Sequence, residues 1–274
     1  MKSFLTVCIL LFSFACVAQN FEGTIKWSMK SEITDPKMKA QMEEAQQKMN
    51  DPASQAQMKE MKEKMNSPEM KAMMEQNPQM KQQMEEAMKM MQGGDMSSMM
   101  PTGFVVKIKN SNTLSVMEGG MMAGTETLYL KEKNQTYLIN QSNKTYTVFS
   151  NTGGGSNPHG EVKVNKTSET QKILNYTCTK TIVTVTDKGK SIEQIFWTTQ
   201  DIKDFDLKSL AKQRMDSGQS MFYENIEGVP LKMEMTTPEA KMIMQVTEIK
   251  KETLPSSMFA VPAGFTETKL PGQH

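Results

Sequence analysis

The chain has 274 residues, 37% hydrophobic and 7% aromatic, and its formal charge of +1 excludes the strong basic or acidic bias of a nucleic-acid binder or an acidic tail protein. With only 2 histidines and 3 cysteines, multi-cysteine zinc sites and disulfide scaffolds are excluded as well. The anomaly is 29 methionines against 2 tryptophans, 5 tyrosines and 11 phenylalanines.

Met1-Lys2-Ser3, the apolar run from Phe4 to Phe14, and small Ala18 read as a secretory signal peptide over residues 1–18, cleaved after Ala18. The alternative is a lipoprotein anchored at Cys16, but bulky Phe14 stands where a lipidation signal carries a small residue. The mature chain, 19–274, is read as one domain, and the expected compartment is the periplasm or the extracellular space. Cys178 is then the single remaining cysteine, and Tyr176-Thr-Cys-Thr179 reads as strand, so a buried, inert thiol is expected in place of a nucleophile.

From Phe21 to Ile33 apolar and polar residues alternate as in a half-buried strand. Between Thr34 and Phe104 the only apolar side chains besides proline are Met and Ala, which cannot build an ordinary core. This insertion, about 36–100, is nonetheless written as helices, each opened by a cap and proline: Asp35-Pro36, Asp51-Pro52, Ser67-Pro68 and Asn77-Pro78. At helical spacing Met38, Met42, Ala45 and Met49 share a stripe, as do Met58, Met61 and Met65, and again Met80, Met84, Met88 and Met91. Glu44/Lys48, Glu60/Lys64 and Glu85/Lys89 stand in the favourable i,i+4 order on the polar faces. Glu43-Glu44 and Glu85-Glu86 are accordingly read as solvated charge partners.

From Gly103 onward the pattern is β: strands near 104–109, 114–117, 128–130, 137–139, 146–149, 161–167, 176–186 and 191–199, a short helix over 204–215, and two final strands carrying Met233, Met235, Met242 and Met244. About eleven strands with one helical insertion after the first give an α+β chain whose antiparallel sheet curls into a partly open barrel, with the insertion as its lid. The residues expected to line the concave face are Trp27, Met29, Phe196 or Trp197, Met233, Met235, Met242 and Met244. Met80, Met84, Met88 and Met91 would face them from the lid.

Ile173-Leu-Asn-Tyr-Thr-Cys178, Ile195-Phe-Trp197, Gly228-Val-Pro-Leu231, Val246-Thr-Glu-Ile249 and Met258-Phe-Ala-Val-Pro-Ala-Gly-Phe265 resemble the successive motifs of a secreted Gram-negative family known as a domain of unknown function, DUF4412. Asn175 stands where that family usually carries glycine. The family in turn is similar to lipoprotein carriers and receptors of the LolA and LolB type, which implies a half-open barrel, lidded by helices, that holds acyl chains. It implies no active-site residues. It also argues against a eukaryotic secretory pathway, in which the sequons at Asn134, Asn140, Asn143, Asn165 and Asn175 would be glycosylated.

His159 in a Gly/Asn/Pro loop and His274 at the terminus cannot serve as positioned bases, so no enzyme is expected. The methionines carry the functional reading. Unbranched, polarizable thioethers suit apolar ligands of variable shape, so the expected partner is a lipid or other apolar small molecule, or an acylated protein. The alternative cofactor is Cu(I), held by Met70, Met73, Met74, Met96, Met99 and Met100. A third reading is an envelope interaction module with no small ligand. A monomer is expected, with no nucleic acid bound and with membrane contact at most peripheral.

Overall fold

The computed structural model describes residues 21–70, 100–150, 161–187, 189–203 and 225–269. The signal peptide, the methionine stripe Met80 to Met91, the loop with His159, the helix expected at 204–215 and His274 lie outside the described residues.

The insertion opens as its sequence dictates. Helices α1 (Pro36–Asn50) and α2 (Pro52–Met65) each begin with proline after an aspartate cap. Asp35 Oδ1 accepts from Lys37 N at 2.6 Å and Met38 N at 2.9 Å, and Asp51 Oδ2 from Ala53 N at 3.2 Å, which satisfies donors a helix start leaves free. Ser67 Oγ does the same for Met70 N at the third cap. The charge partners pair as spaced, Glu44 with Lys48 at 2.7 Å and Glu60 with Lys64 at 2.8 Å, and Glu43 is exposed. What differs from expectation is the apolar stripe. No helical residue whose side chain is described is buried, and Met38 and Met61 are 42% and 47% exposed. A side chain that buries only sulfur and methylenes gains too little from a partial contact to fix a helix onto a sheet.

Around this insertion runs one open sheet of twelve strands: β1 (Gly23–Ile33), β2 (Gly103–Lys109), β3 (Asn112–Glu118), β4 (Glu126–Leu130), β5 (Gln135–Asn140), β6 (Thr145–Ser150), β7 (Glu161–Ile173), β8 (Tyr176–Asp187), β9 (Lys190–Thr199), β10 (Val229–Thr236), β11 (Ala240–Lys251) and the two-residue β12 (Thr266–Glu267). The sheet has twelve strands where about eleven were expected, and β12 lies outside the expected set. Tight turns join the neighbours, among them Asn110-Ser111 with both residues left-handed (φ 52 and 60), the backbone a two-residue hairpin needs. Leu174 takes φ 53 in the turn between β7 and β8, next to Asn175.

The strand order is β12-β6-β5-β4-β3-β2-β1-β11-β10-β9-β8-β7. From β1 the chain winds outward to β6, resumes at the opposite edge with β7, and winds back until β11 lies on the free side of β1. The first strand is therefore central, held by β2 on one side and β11 on the other. Every pairing is antiparallel except β12 with β6.

Alternation along the paired strands sorts the apolar residues onto two faces. On one face Ile25, Trp27, Val106, Ile108, Val183, Val185, Phe196, Met233, Met244 and Val246 are buried in one cluster. On the other face of β3 to β6, Leu114, Leu128, Tyr137 and Ile139 are buried under Leu254 and Phe259. Those two belong to the segment after β11, which crosses β3–β6 obliquely before β12 pairs with β6. Its start is pinned: Glu22 Oε1 accepts from Leu254 N at 2.7 Å and from Lys109 Nζ at 2.9 Å, and Lys109 also donates to the Leu254 carbonyl. The Leu254 amide first, then the Lys109 hydrogen bond, hold the Glu22 carboxyl below the usual carboxylate range.

Candidate functional site

The residues expected to line the concave face come, with one exception, from neighbouring strands in one continuous patch. Trp27 of β1 lies opposite Phe104 of β2 and Val246 of β11. Its indole stacks on the Phe104 ring with centroids 5.6 Å apart and planes 10° from parallel. Gly103 makes that approach possible, because a Cβ there would sit 2.2 Å from the Trp27 carbonyl oxygen. One pair further on, Met29 lies opposite Met244, Met244 opposite Met233, and Met233 opposite Phe196. The next row places Met242 opposite Met235, which in turn faces Gln194. Gln194 is buried among apolar neighbours and its amide donates to the Met235 sulfur at 3.3 Å. Trp27, Met233 and Met244 are fully buried; Met29, Met235 and Met242 are partly open along one side of the patch. Met80, Met84, Met88 and Met91 lie outside the described residues, so the sheet contributes all of the site that is described.

The exception is Trp197. Its strand neighbours are Lys180 and Lys232, and it faces away from Phe196, on the other side of the sheet. The two ammonium groups stand 5.9 and 5.8 Å from its ring centroid, and its Nε1 donates to Glu234 Oε1 at 3.1 Å. Glu234 also pairs with Lys232 at 2.9 Å, and Lys180 with Glu169 at 2.9 Å. This cluster is charge-balanced and its polar atoms are satisfied, so Trp197 belongs to the framework and Phe196 to the patch. Phe104 is the residue that sequence reasoning passed over; its alternation with Val106 and Ile108 marks a buried face, but only the register puts it against Trp27.

Burial disfavours ionisation of Glu234, yet the hydrogen bonds from Lys232 and Trp197 and the charges of Lys232 and Lys241 outweigh it and hold the carboxyl below its ordinary range. A depressed carboxylate contributes stability that is present above its unfolded-state value and is lost as pH falls through the folded one. In a Trp27→Phe background, which leaves Trp197 as the one indole, emission should therefore stay constant down to about pH 4.3 and change only below it. A transition near neutral pH would contradict this pairing.

Cys178 in β8 is buried, and burial first, then the charge of Asp201, push its thiol up to about 11. A thiol held protonated is a poor nucleophile. Native protein should therefore resist iodoacetamide at pH 7.5 and react fully once unfolded; rapid native alkylation would overturn the reading of Cys178 as core.

Among the described residues no three His, Cys, Asp or Glu side chains group as a metal site. Of the six methionines considered for copper, Met70 and Met100 are described and lie on separate segments; Met73, Met74, Met96 and Met99 lie outside the described residues. No described helix is long and apolar enough to cross a membrane.

A single open sheet, antiparallel but for its last strand, that gathers aromatic and thioether side chains on one face defines a predominantly β protein. Residues 88–265 match the family described as a domain of unknown function, DUF4412, and the chain belongs to that family. The match begins within the insertion, so β1 with Trp27 and Met29 lies upstream of it. No curated protein matches the chain.

Proposed function

We propose that this protein is a soluble envelope protein, exported by its N-terminal leader and cleaved after Ala18, that takes up an apolar ligand, a lipid or an acyl chain, on the Trp27/Phe104/Met244 face. The observation that carries the reading is the convergence of Trp27, Phe104, Met29, Met244, Met233, Phe196, Met242 and Met235 from five adjacent strands onto one patch. Stacked aromatics supply a rigid floor and unbranched thioethers an adaptable wall, which suits a flexible chain better than a ligand of fixed shape.

Curvature of the sheet supports a concave site. Ten strand spacings separate β6 from β7, about 48 Å if the sheet were flat, whereas the ten residues joining them reach about 40 Å at full extension. The proposed concave site requires the two edges to be drawn towards each other, and this span is what supports that part of the reading. In this reading the insertion is the cover, because Met38 and Met61 hold apolar surface that a bound ligand would bury.

The test is purification from the native envelope without detergent, followed by solvent extraction, mass spectrometry and titration with a fluorescent fatty acid. A stoichiometric lipid or a saturable probe signal is expected, with probe affinity falling at least tenfold in Met29→Lys and Met242→Lys, where a charge is placed at the open side of the patch. Empty protein that also fails to bind the probe would overturn the proposal and leave the interaction-module reading in its place.

A further inference from the structure

A second set of methionines, outside the buried apolar cluster, is exposed on two neighbouring segments of the sheet. β3 ends at Glu118, and the chain then turns through Gly119-Gly-Met-Met-Ala-Gly124 into β4. The loop is folded back on itself: Gly124 N donates to Met117 O at 2.9 Å, Met117 N to Thr125 O at 3.0 Å, and Thr125 N to Met122 O at 3.0 Å. Gly119, Gly120 and Gly124 all take left-handed backbone, φ 73, 63 and 79. Gly119 lies directly on the Thr102 side chain, whose Oγ1 is 2.4 Å from where a Cβ would stand, and Thr102 N donates to Glu118 O at 2.9 Å. Met100, two residues before Thr102, is thereby tied to the base of the same loop.

The result is three methionines displayed to solvent from two hydrogen-bonded segments, Met100 at 39%, Met121 at 51% and Met122 at 48% exposure, whereas Met117 is half-buried opposite Phe104, on the side of the apolar patch. Exposed methionine on a constrained loop contributes nothing to a core. The hard donors nearby are engaged, Thr102 Oγ1 with the Glu118 carbonyl at 3.2 Å and the Glu118 carboxylate with Lys26 at 3.8 Å. What remains available is thioether sulfur, which selects soft Cu(I) over harder divalent ions.

We infer that Met100, Met121 and Met122 form a thioether site for Cu(I). None of the three belongs to the buried apolar cluster, and the site differs from a copper site within the helical insertion because two of its three ligands belong to the loop after β3.

The experiment uses the full mature protein under anaerobic, ascorbate-reduced conditions, with Cu(I) competed against bicinchoninate. Wild type should retain one equivalent that Met100→Leu/Met121→Leu/Met122→Leu loses, leucine preserving bulk and removing sulfur. Met29→Leu/Met242→Leu should retain it while altering the fatty-acid titration, which separates this site from the apolar face. A second measurement does not depend on the variant folding: in protein labelled with 13C at the methionine methyls, Ag(I), a redox-stable stand-in for Cu(I), should shift the resonances of Met100, Met121 and Met122 together at one equivalent. Failure of wild type to compete with the chelator, an unchanged triple variant, or shifts confined to other methionines would each overturn the inference.

Discussion

Replacing residues 36–100 by a short Gly/Ser linker should leave a β protein that unfolds cooperatively, with stability within about 2 kcal/mol of the full chain. The reason is in the burial. α1 and α2 contribute no buried residue among those described, and Met38 and Met61 face solvent, so their removal takes little apolar contact from the sheet. The ends to be joined are close to paired backbone: Thr34 N donates to Glu239 O at 2.8 Å, and Met29 N to Thr102 O at 2.7 Å. Conversely, helices of 15 and 14 residues with no core of their own are marginal in water, so the excised segment should be largely unfolded. Circular dichroism melts of both pieces check this. Loss of the cooperative β transition on deletion would show that the methionine stripes complete the core of the sheet. Retained folding with lost fatty-acid binding would instead assign them to the cover of the ligand site.

Phe259→Ala should cost about 3–5 kcal/mol, more than any change on the helices. Phe259 is buried with Leu254 against Leu114, Leu128, Tyr137 and Ile139, and with it the segment after β11 closes the apolar face of β3 to β6. Removing the ring leaves a void and weakens the hold on β12, which covers part of the β6 edge through Thr266 N to Lys144 O at 2.9 Å and Thr268 N to Tyr146 O at 2.8 Å. Urea titrations measure the loss, and binding of an apolar dye should rise as the face opens. A cost under about 1 kcal/mol would mean that β3–β6 hold together without the crossing segment. The membership of Met258-Phe-Ala-Val-Pro-Ala-Gly-Phe265 in the family match gains a physical reason here: Phe259 and Phe265 pack on strands far away in sequence.

Much of the local structure was legible because it is set by nearest neighbours. Asp35-Pro36 and Asp51-Pro52 start helices in the structure as in the sequence, since cap and fixed φ act within one turn. Strand alternation predicted about eleven strands and marked Trp27, Met29, Met233, Met235, Met242 and Met244 as inward-facing before any pairing was known. It could not decide between Phe196 and Trp197. Period 2 says only that they oppose each other, and a run of buried residues from Phe196 to Thr199 hides which side is apolar. Pairing decides it: Phe196 lies opposite Met233 and Thr181, and Trp197 opposite Lys232 and Lys180.

The sequence by itself determined the elements, the inert strand cysteine, the solvated helix charges and the family, because propensity, capping and alternation are local and motifs are linear. Only the tertiary structure decided that β1 sits between β2 and β11, that Trp27 stacks on Phe104, that Met38 and Met61 are exposed, and that Thr102 is bonded to the end of β3. Those outcomes depend on strand register and on contacts between residues as many as 232 apart, such as Leu254 N donating to Glu22 Oε1 at 2.7 Å. The free energy of such pairings is shared over the whole sheet, and no short window of sequence records it.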